Sequence, residues 1–560
     1  MTADLTKLVP PKTLTHEDKA TVFDHFFCRL ASYRNTLELY SDAEYTMSSL
    51  PEERRARRRD QHQEEVARWA HSLVEKAWIV CKESEGDCPK LDKYADTSIA
   101  GLPSLPPTED LTKVLNTILF LDIVASKQYS ARTRTFLSTF GSLDEPTIVA
   151  TLKNPERAIG EAEKQIEEAR EVHAERGKVL RVMGMGFGAV AGGVLIGVTG
   201  GLAAPLVGAG VTTLLGWLGV GGTIVGLLAS GLAGSSVVCG ALFGVYGAQS
   251  TANMVERHTR EVRDLAVVPV RDIKENETLG VRLCVSGWLS SREDVTAPWT
   301  VCGGDDTFAL QWEVEVLEQL SNALVTLVKS HAIKYVKMQV IRRTILASLM
   351  SSLAPIAWLK IGQIIDNPWM NARARAVKAG AVLGDLLANH VFGNRPLTLT
   401  GYSLGSLVIF EALKYLASLP PANTTHLVQD VFLFGTPTPA DMSTWASVRR
   451  LVSGRLVNGY SSNDYILAVL SRASDANWNV AGLQPIDVMG VENILCEGVD
   501  GHTMWRGMIG KCLRDCQAPG IISDEVELQL KIVPAEILAM EESEKSSREQ
   551  SPGETGGEQK

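Results

Sequence analysis

The spacing of apolar positions changes character along the chain, and each change predicts a different kind of structure. From residue 15 to about residue 175 the spacing is helical. Trp69, Leu73, Ala77 and Val80 form one face of a helix that Pro51, Glu52 and Glu53 start, because proline suits the first turn and carboxylates its positive end. A polar link, 101–108, separates this helix from the next apolar run, 111–125. The segment 155–181 is charged with few apolar seam positions, which fits a short coiled coil and a solvated connecting helix alike. From Val182 to Val255 there is no charged residue. A bilayer crossing needs only about twenty apolar residues, so this run predicts membrane helices over 183–203 and 220–246, with the piece between them re-entrant or part of a third pass, in preference to a glycine-rich buried helical hairpin. After Arg263 short apolar runs alternate with helical stretches, the habit of an α/β domain. The strand candidates are Leu265–Val270, Val281–Val285, Phe308–Trp312, Leu397–Thr400, Val431–Phe434, Arg455–Asn458 and Asn493–Cys496.

Four regions follow: helical 1–180, a glycine-rich transmembrane segment 182–255, an α/β domain 263–535, and a polar tail 536–560 expected to be disordered. Gly188/Gly192, Gly193/Gly197 and Gly197/Gly201 stand at the small-xxx-small spacing that lets membrane helices approach closely, so self-association through them is expected. Basic residues flank the uncharged run on both sides (Lys178 and Arg181; Arg257, Arg260 and Arg263). That favours an even number of passes in an intracellular membrane, with the N-terminus and the α/β domain cytoplasmic. The opening residues have no apolar h-region, and no cleavable secretory signal is expected.

Charge and composition narrow the functions. The net charge of −10 argues against general nucleic-acid binding, which needs a basic face. The cluster Arg54, Arg55, Arg57, Arg58 and Arg59 fits contact with anionic headgroups or a solvated helix face. The nine cysteines are scattered without a CxxC pair, as in a reduced intracellular protein. No metal-ligand cluster, dinucleotide fingerprint or P-loop is present, so neither metal nor cofactor is expected.

The strongest motif is Gly401-Tyr402-Ser403-Leu404-Gly405, between a β-like run and a helix-like run. A nucleophile elbow needs that context: the serine sits on a sharp strand-to-helix turn, and flanking glycines relieve the crowding. Ser403 then requires a base, and the base an orienting acid, in the chain order serine, acid, histidine. That order passes over His331 and His390, and His426 comes too early, leaving His502 in the loop after the last strand candidate. Asp464, at the end of the run from Arg455, is the preferred acid, with Asp475, Asp487 and Asp500 as competitors. Leu404, after the nucleophile, is expected to give one oxyanion-hole N–H. Trp288, after Val285-Ser286-Gly287, is the candidate for the second, or else a core tryptophan at a strand end. The apolar stretch 344–359, broken by Pro355, fits a lid or interfacial helix and a buried core helix equally.

The glycine-rich segment, Val285-Ser-Gly-Trp288, Asn367-Pro-Trp369, the Gly401–Gly405 motif, Ser462-Asn-Asp464 and Gly501-His502 together resemble the transmembrane and coiled-coil domain-containing protein 4 family, over roughly 150–515. The resemblance implies an α/β-hydrolase fold with a mostly parallel sheet, tethered to a membrane, with Ser403, Asp464 and His502 as its triad. The expected activity is hydrolysis of lipid or other apolar carboxylesters, with membrane lipids and an apolar ester as partners. A second class is a trafficking scaffold that keeps the fold without turnover, acting through the helical N-terminal region.

Overall fold

The computed structural model describes residues 3–82, 86–93, 95–164, 222–243, 262, 264–271, 278–329, 355–474 and 479–531. Its centre is a seven-stranded sheet: β1 (Ala266–Pro269), β2 (Val281–Val285), β3 (Asp306–Gln311), β4 (Leu397–Tyr402), β5 (Val428–Phe434), β6 (Leu456–Tyr460) and β7 (Val491–Leu495). Each strand overlaps one of the sequence candidates. The spatial order is β1-β3-β2-β4-β5-β6-β7, with β1 antiparallel to β3 and every other pair parallel. β2 and β4 are buried along their whole length, as strands covered on both faces must be. The chain winds one way from β2 to β3 and the other way from β4 to β7, so β2 and β4 flank a topological switch point. Open α/β sheets bind ligands outside the carboxyl ends of the strands at such a point.

The helices are α1 (His16–Met47), α2 (Glu52–Lys82), α3 (Thr108–Ser126), α4 (Ala131–Ser138), α5 (Glu145–Lys153), α6 (Gly222–Ala233), α7 (Ser235–Phe243), α8 (Val314–Lys329), α9 (Pro355–Ala388), α10 (Leu404–Ser418), α11 (Met442–Leu451), α12 (Tyr465–Ser474) and α13 (Trp505–Asp515). α9 lies so close on α10 that a Cβ at Gly384 would come 2.8 Å from the Tyr415 ring. α1 to α7 share an apolar core of their own, with Phe26, Leu73, Ile118, Leu228 and Leu242 fully buried, separate from the core around the sheet.

Polar contacts join the two layers. Tyr33 donates to the Ser453 carbonyl at 2.8 Å, Arg450 of α11 donates to Glu44 of α1, and Arg134 of α4 pairs with Asp305 before β3 at 2.8 Å. The basic cluster is partly spent on the protein itself, since Arg55 and Arg59 lie over the Tyr45 ring and Arg58 pairs with Glu44 at 3.8 Å.

The expected span 220–246 is not a single crossing helix, although its two described helices together have the length and apolar composition of one. The described part is two helices, bent by 66° between Ala233 and Ser235, and no single helix among the described residues is long and apolar enough to cross a membrane. Gly234 breaks the helix, its carbonyl accepting from Val237 and Val238 to start α7. One face of the pair is protein core, against Phe120 and Val124 of α3. The other expected span, 183–203, lies outside the described residues, as do the tail beyond 531 and the part of the apolar insert before Pro355. The charged segment 155–181 is helical as far as 164, and the rest lies outside.

Candidate active site

The site forms where β2 and β4 end side by side, Val285 paired with Gly401. Ser403 follows β4 directly, with φ 52° and ψ −130°, backbone angles that a side chain rarely adopts. Its N–H donates to the Phe434 carbonyl at 2.8 Å, which ties the turn to β5. α10 begins at Leu404, so the Leu404 N–H is one of the four that a helix leaves without an internal acceptor. Glycine is required on both sides of the turn. A Cβ at Gly405 would fall 2.6 Å from the Val285 carbonyl carbon, and one at Gly287 would fall 2.5 Å from Leu404 N and 2.7 Å from Ser403 Cβ. Gly401 is the penultimate residue of β4.

His502 opens a 3-10 turn ahead of α13, and Asp464 stands between β6 and α12. Ser403 Oγ lies 2.5 Å from His502 Nε2, and His502 Nδ1 lies 2.7 Å from Asp464 Oδ2. A carboxylate can only accept, so Nδ1 carries the proton and Nε2 is left to accept from the serine hydroxyl. All three side chains are fully buried. Asp464 Oδ1 accepts the Leu467 N–H at 3.0 Å. The neighbouring Tyr465 phenol is pushed up to about 12 by burial and then by the Asp464 charge.

The described competing carboxylates do not meet the His502 ring. Asp487 and Asp500 are exposed, and Asp475 lies outside the described residues. His390 and His426 stack on one another with ring centroids 5.3 Å apart. His331 is outside the described residues.

Trp288 is buried beside the elbow. Its carbonyl accepts from the Tyr402 hydroxyl at 3.2 Å, and its ring meets the Tyr402 ring edge-on at 6.5 Å. The segment carrying it is anchored from several sides. Trp299 donates to Ser286 Oγ at 3.0 Å and Trp312 to the Ser286 carbonyl at 3.1 Å. Asp294 accepts from Ser290 N at 2.8 Å and from Arg506 at 2.6 Å, which links the Trp288 loop to the start of α13.

Two tryptophans belong to the site that sequence reasoning did not assign to it. Trp369, inside α9 after Pro368, meets the His502 ring edge-on at 6.2 Å. Trp505 donates its indole N–H to Asp464 Oδ2 at 2.8 Å. Trp505 stands three residues after His502, and neither it nor Trp369 carries a local signal of its contact. Among the described residues no group of three or more His, Cys, Asp and Glu is placed to hold a metal. A cavity of about 690 Å³ touched by Arg134, Arg282, Asp305, Asp430 and Arg455 opens at the amino ends of the strands, the edge opposite Ser403.

With that geometry in view, the chain belongs to the family described as protein of unknown function DUF726, whose model matches residues 177–518. It is 36% identical over 369 residues to "Uncharacterized membrane protein C6F6.13c" of Schizosaccharomyces pombe, covering 64% of this chain and 62% of that one. It is 35% identical over 333 residues to "Transmembrane and coiled-coil domain-containing protein STS1" of Oryza sativa subsp. japonica, covering 57% and 50%. It is 34% identical over 335 residues to "Probable lipase MIL1" of Saccharomyces cerevisiae, covering 59% and 29%. The chain thus spans between 29% and 62% of the length of these three relatives. Two of these relatives are named as membrane proteins and one as a probable lipase. No solved structure matches the chain.

Proposed function

We propose that this chain is a membrane-associated serine hydrolase of the α/β-hydrolase fold, grouped with the transmembrane and coiled-coil domain-containing protein 4 family, that cleaves lipid or other apolar carboxylesters. The observation that carries the reading is the buried line Ser403–His502–Asp464, closed by contacts of 2.5 and 2.7 Å. His502 takes the hydroxyl proton as Oγ attacks the ester carbonyl carbon, and Asp464 holds the imidazole and stabilises the imidazolium. The N–H groups of Leu404 and Trp288 receive the negative charge that gathers on the carbonyl oxygen. The alcohol leaves with the proton from His502, and a water activated by the same imidazole releases the acid from Ser403. An apolar ester suits the aromatic surroundings of the site, with Trp288 buried beside the nucleophile turn and Trp369 edge-on to the His502 ring, and the relative named a probable lipase points the same way. Delivery of that substrate from membrane lipid, a multi-pass anchor with the hydrolase part cytoplasmic, and self-association through the glycine-rich helices complete the reading.

The test is labelling of the full chain in detergent-solubilised membranes by a fluorophosphonate probe. The serine oxygen bonds to phosphorus, fluoride leaves, and the proton goes to His502. Wild type is expected to label, with labelling abolished by Ser403→Ala and by His502→Ala. A folded wild type that stays unlabelled would sink the reading. It would favour a membrane-trafficking scaffold, which the complete burial of Ser403, Asp464 and His502 also suits.

A further inference from the structure

Asp464 Oδ2 carries two donors, and only one of them belongs to the serine–histidine–aspartate line. His502 Nδ1 lies 2.7 Å away and Trp505 Nε1 lies 2.8 Å away on the same oxygen, while Oδ1 holds the Leu467 N–H. Trp505 is fully buried at the first position of α13, three residues after His502. The fold makes room for its indole at a specific place. Gly435, just after β5, has φ +56°, and a Cβ there would overlap the ring, 2.6 Å from Cε2. A residue needed only to fill space would not require its nitrogen aimed at the buried carboxylate that holds His502.

We infer that Trp505 is a positioning residue for the hydrolase reaction, its N–H fixing Asp464 Oδ2 towards His502 and drawing charge from that oxygen. The inference rests on the function proposed above. With the indole bond in place, the carboxylate cannot rotate away from Nδ1 without losing a charge-assisted hydrogen bond. Without it, Oδ2 keeps more charge for the imidazole alone but is held by one donor fewer. Two opposed effects follow: the imidazole keeps its proton to higher pH, and the aligned geometry is populated less.

The experiment is the pH dependence of the fluorophosphonate labelling rate of the full chain, wild type against Trp505→Phe. The rate is expected to fall on the order of tenfold, the scale of one hydrogen bond to a charged group, with the acid limb of the profile moved to higher pH. The other titratable groups facing this region are Tyr465, the exposed Asp500, and Arg506 bonded to Asp294, and the substitution alters none of them directly. Gly435→Ala, which displaces the indole while replacing no polar side chain of the site, is expected to move the profile in the same direction and decides the matter if Trp505→Phe does not fold. An unmoved acid limb in a folded variant, whether labelling is slow or fast, overturns the inference and reduces Trp505 to packing. If wild type does not label, the proposed function falls and this inference with it, whereas a wild type that labels beside a variant with the same profile rejects the inference alone.

Discussion

At the scale of single residues, the Asp464 carboxylate is the most constrained group in the site, because every hydrogen bond given to it is one it accepts. Leu467 N–H faces Oδ1, and the Trp505 and His502 N–H groups face Oδ2. Asp464→Asn must therefore turn an NH₂ against an N–H donor whichever way the amide is set. Two losses are expected together. Labelling by the fluorophosphonate probe falls by about 10⁴-fold, as when a triad aspartate becomes an amide and the imidazole tautomer inverts. Stability falls by about 1–3 kcal/mol from the unmade hydrogen bond, read by denaturant unfolding in detergent. A loss of labelling with unchanged stability would mean that the donors around Asp464 are looser than the distances state. Ser403, Asp464 and His502 were legible because an elbow motif, a strand pattern and a fixed chain order converge on them. Trp369 and Trp505 were not, because an edge-on ring contact and an indole hydrogen bond are set by tertiary packing that no local spacing encodes.

At the scale of elements, the strands were legible for a simple reason. Buried parallel strands such as β2, β4 and β5 are short apolar runs, and each of the seven strands stands between turn or helix signals. The docking of the helical layer was not legible, since its contacts join residues far apart in sequence. Arg450 and Glu44 are 406 positions apart, and their side chains are 1% and 7% exposed. Removing one partner of such a pair leaves a buried charge behind. Glu44→Ala or Arg450→Ala is expected to cost about 3–5 kcal/mol, and the double substitution less than the sum, measured as a double-mutant cycle in denaturant. Additive losses would mean that the two side chains do not depend on one another. The same layer carries a pH signature at Asp305. Burial alone would raise this carboxyl, and the Arg134 guanidinium overcomes it, holding the group below its ordinary value of 3.8. A lowered folded value means that the contribution to stability is present above that ordinary value and is lost as the pH falls through the folded one.

At the scale of the whole molecule, the bent pair α6–α7 sets where the uncharged run meets the folded part. Asn394 N–H, in the segment leading into β4, donates to the Ala241 carbonyl at 3.1 Å, and Arg395 lies over the Phe243 ring at 5.0 Å. The α6–α7 bend is thus at the amino edge of the sheet, while Ser403 is at the carboxyl edge. A hydropathy reading treats every residue of the run alike and so cannot decide between a crossing helix and a buried hairpin: lipid and protein core are both apolar, and only packing separates them. Adjacent leucines make the distinction measurable. Leu228 is fully buried against the helical core, and Leu227 is 36% exposed on the outer face. If the inner face is protein core, Leu228→Asp places a carboxylate among Ile118, Phe120 and their neighbours and is expected to cost at least about 3 kcal/mol. Leu227→Asp should leave the fold within about 1 kcal/mol. Limited proteolysis of the N-terminal helices in native membranes reads the difference. Rapid cleavage of the Leu228 variant beside wild-type resistance of the Leu227 variant is the expected pattern. Equal sensitivity would mean that α6 is surrounded alike on both faces, and the bent pair would then have to be read as lipid-embedded along its length.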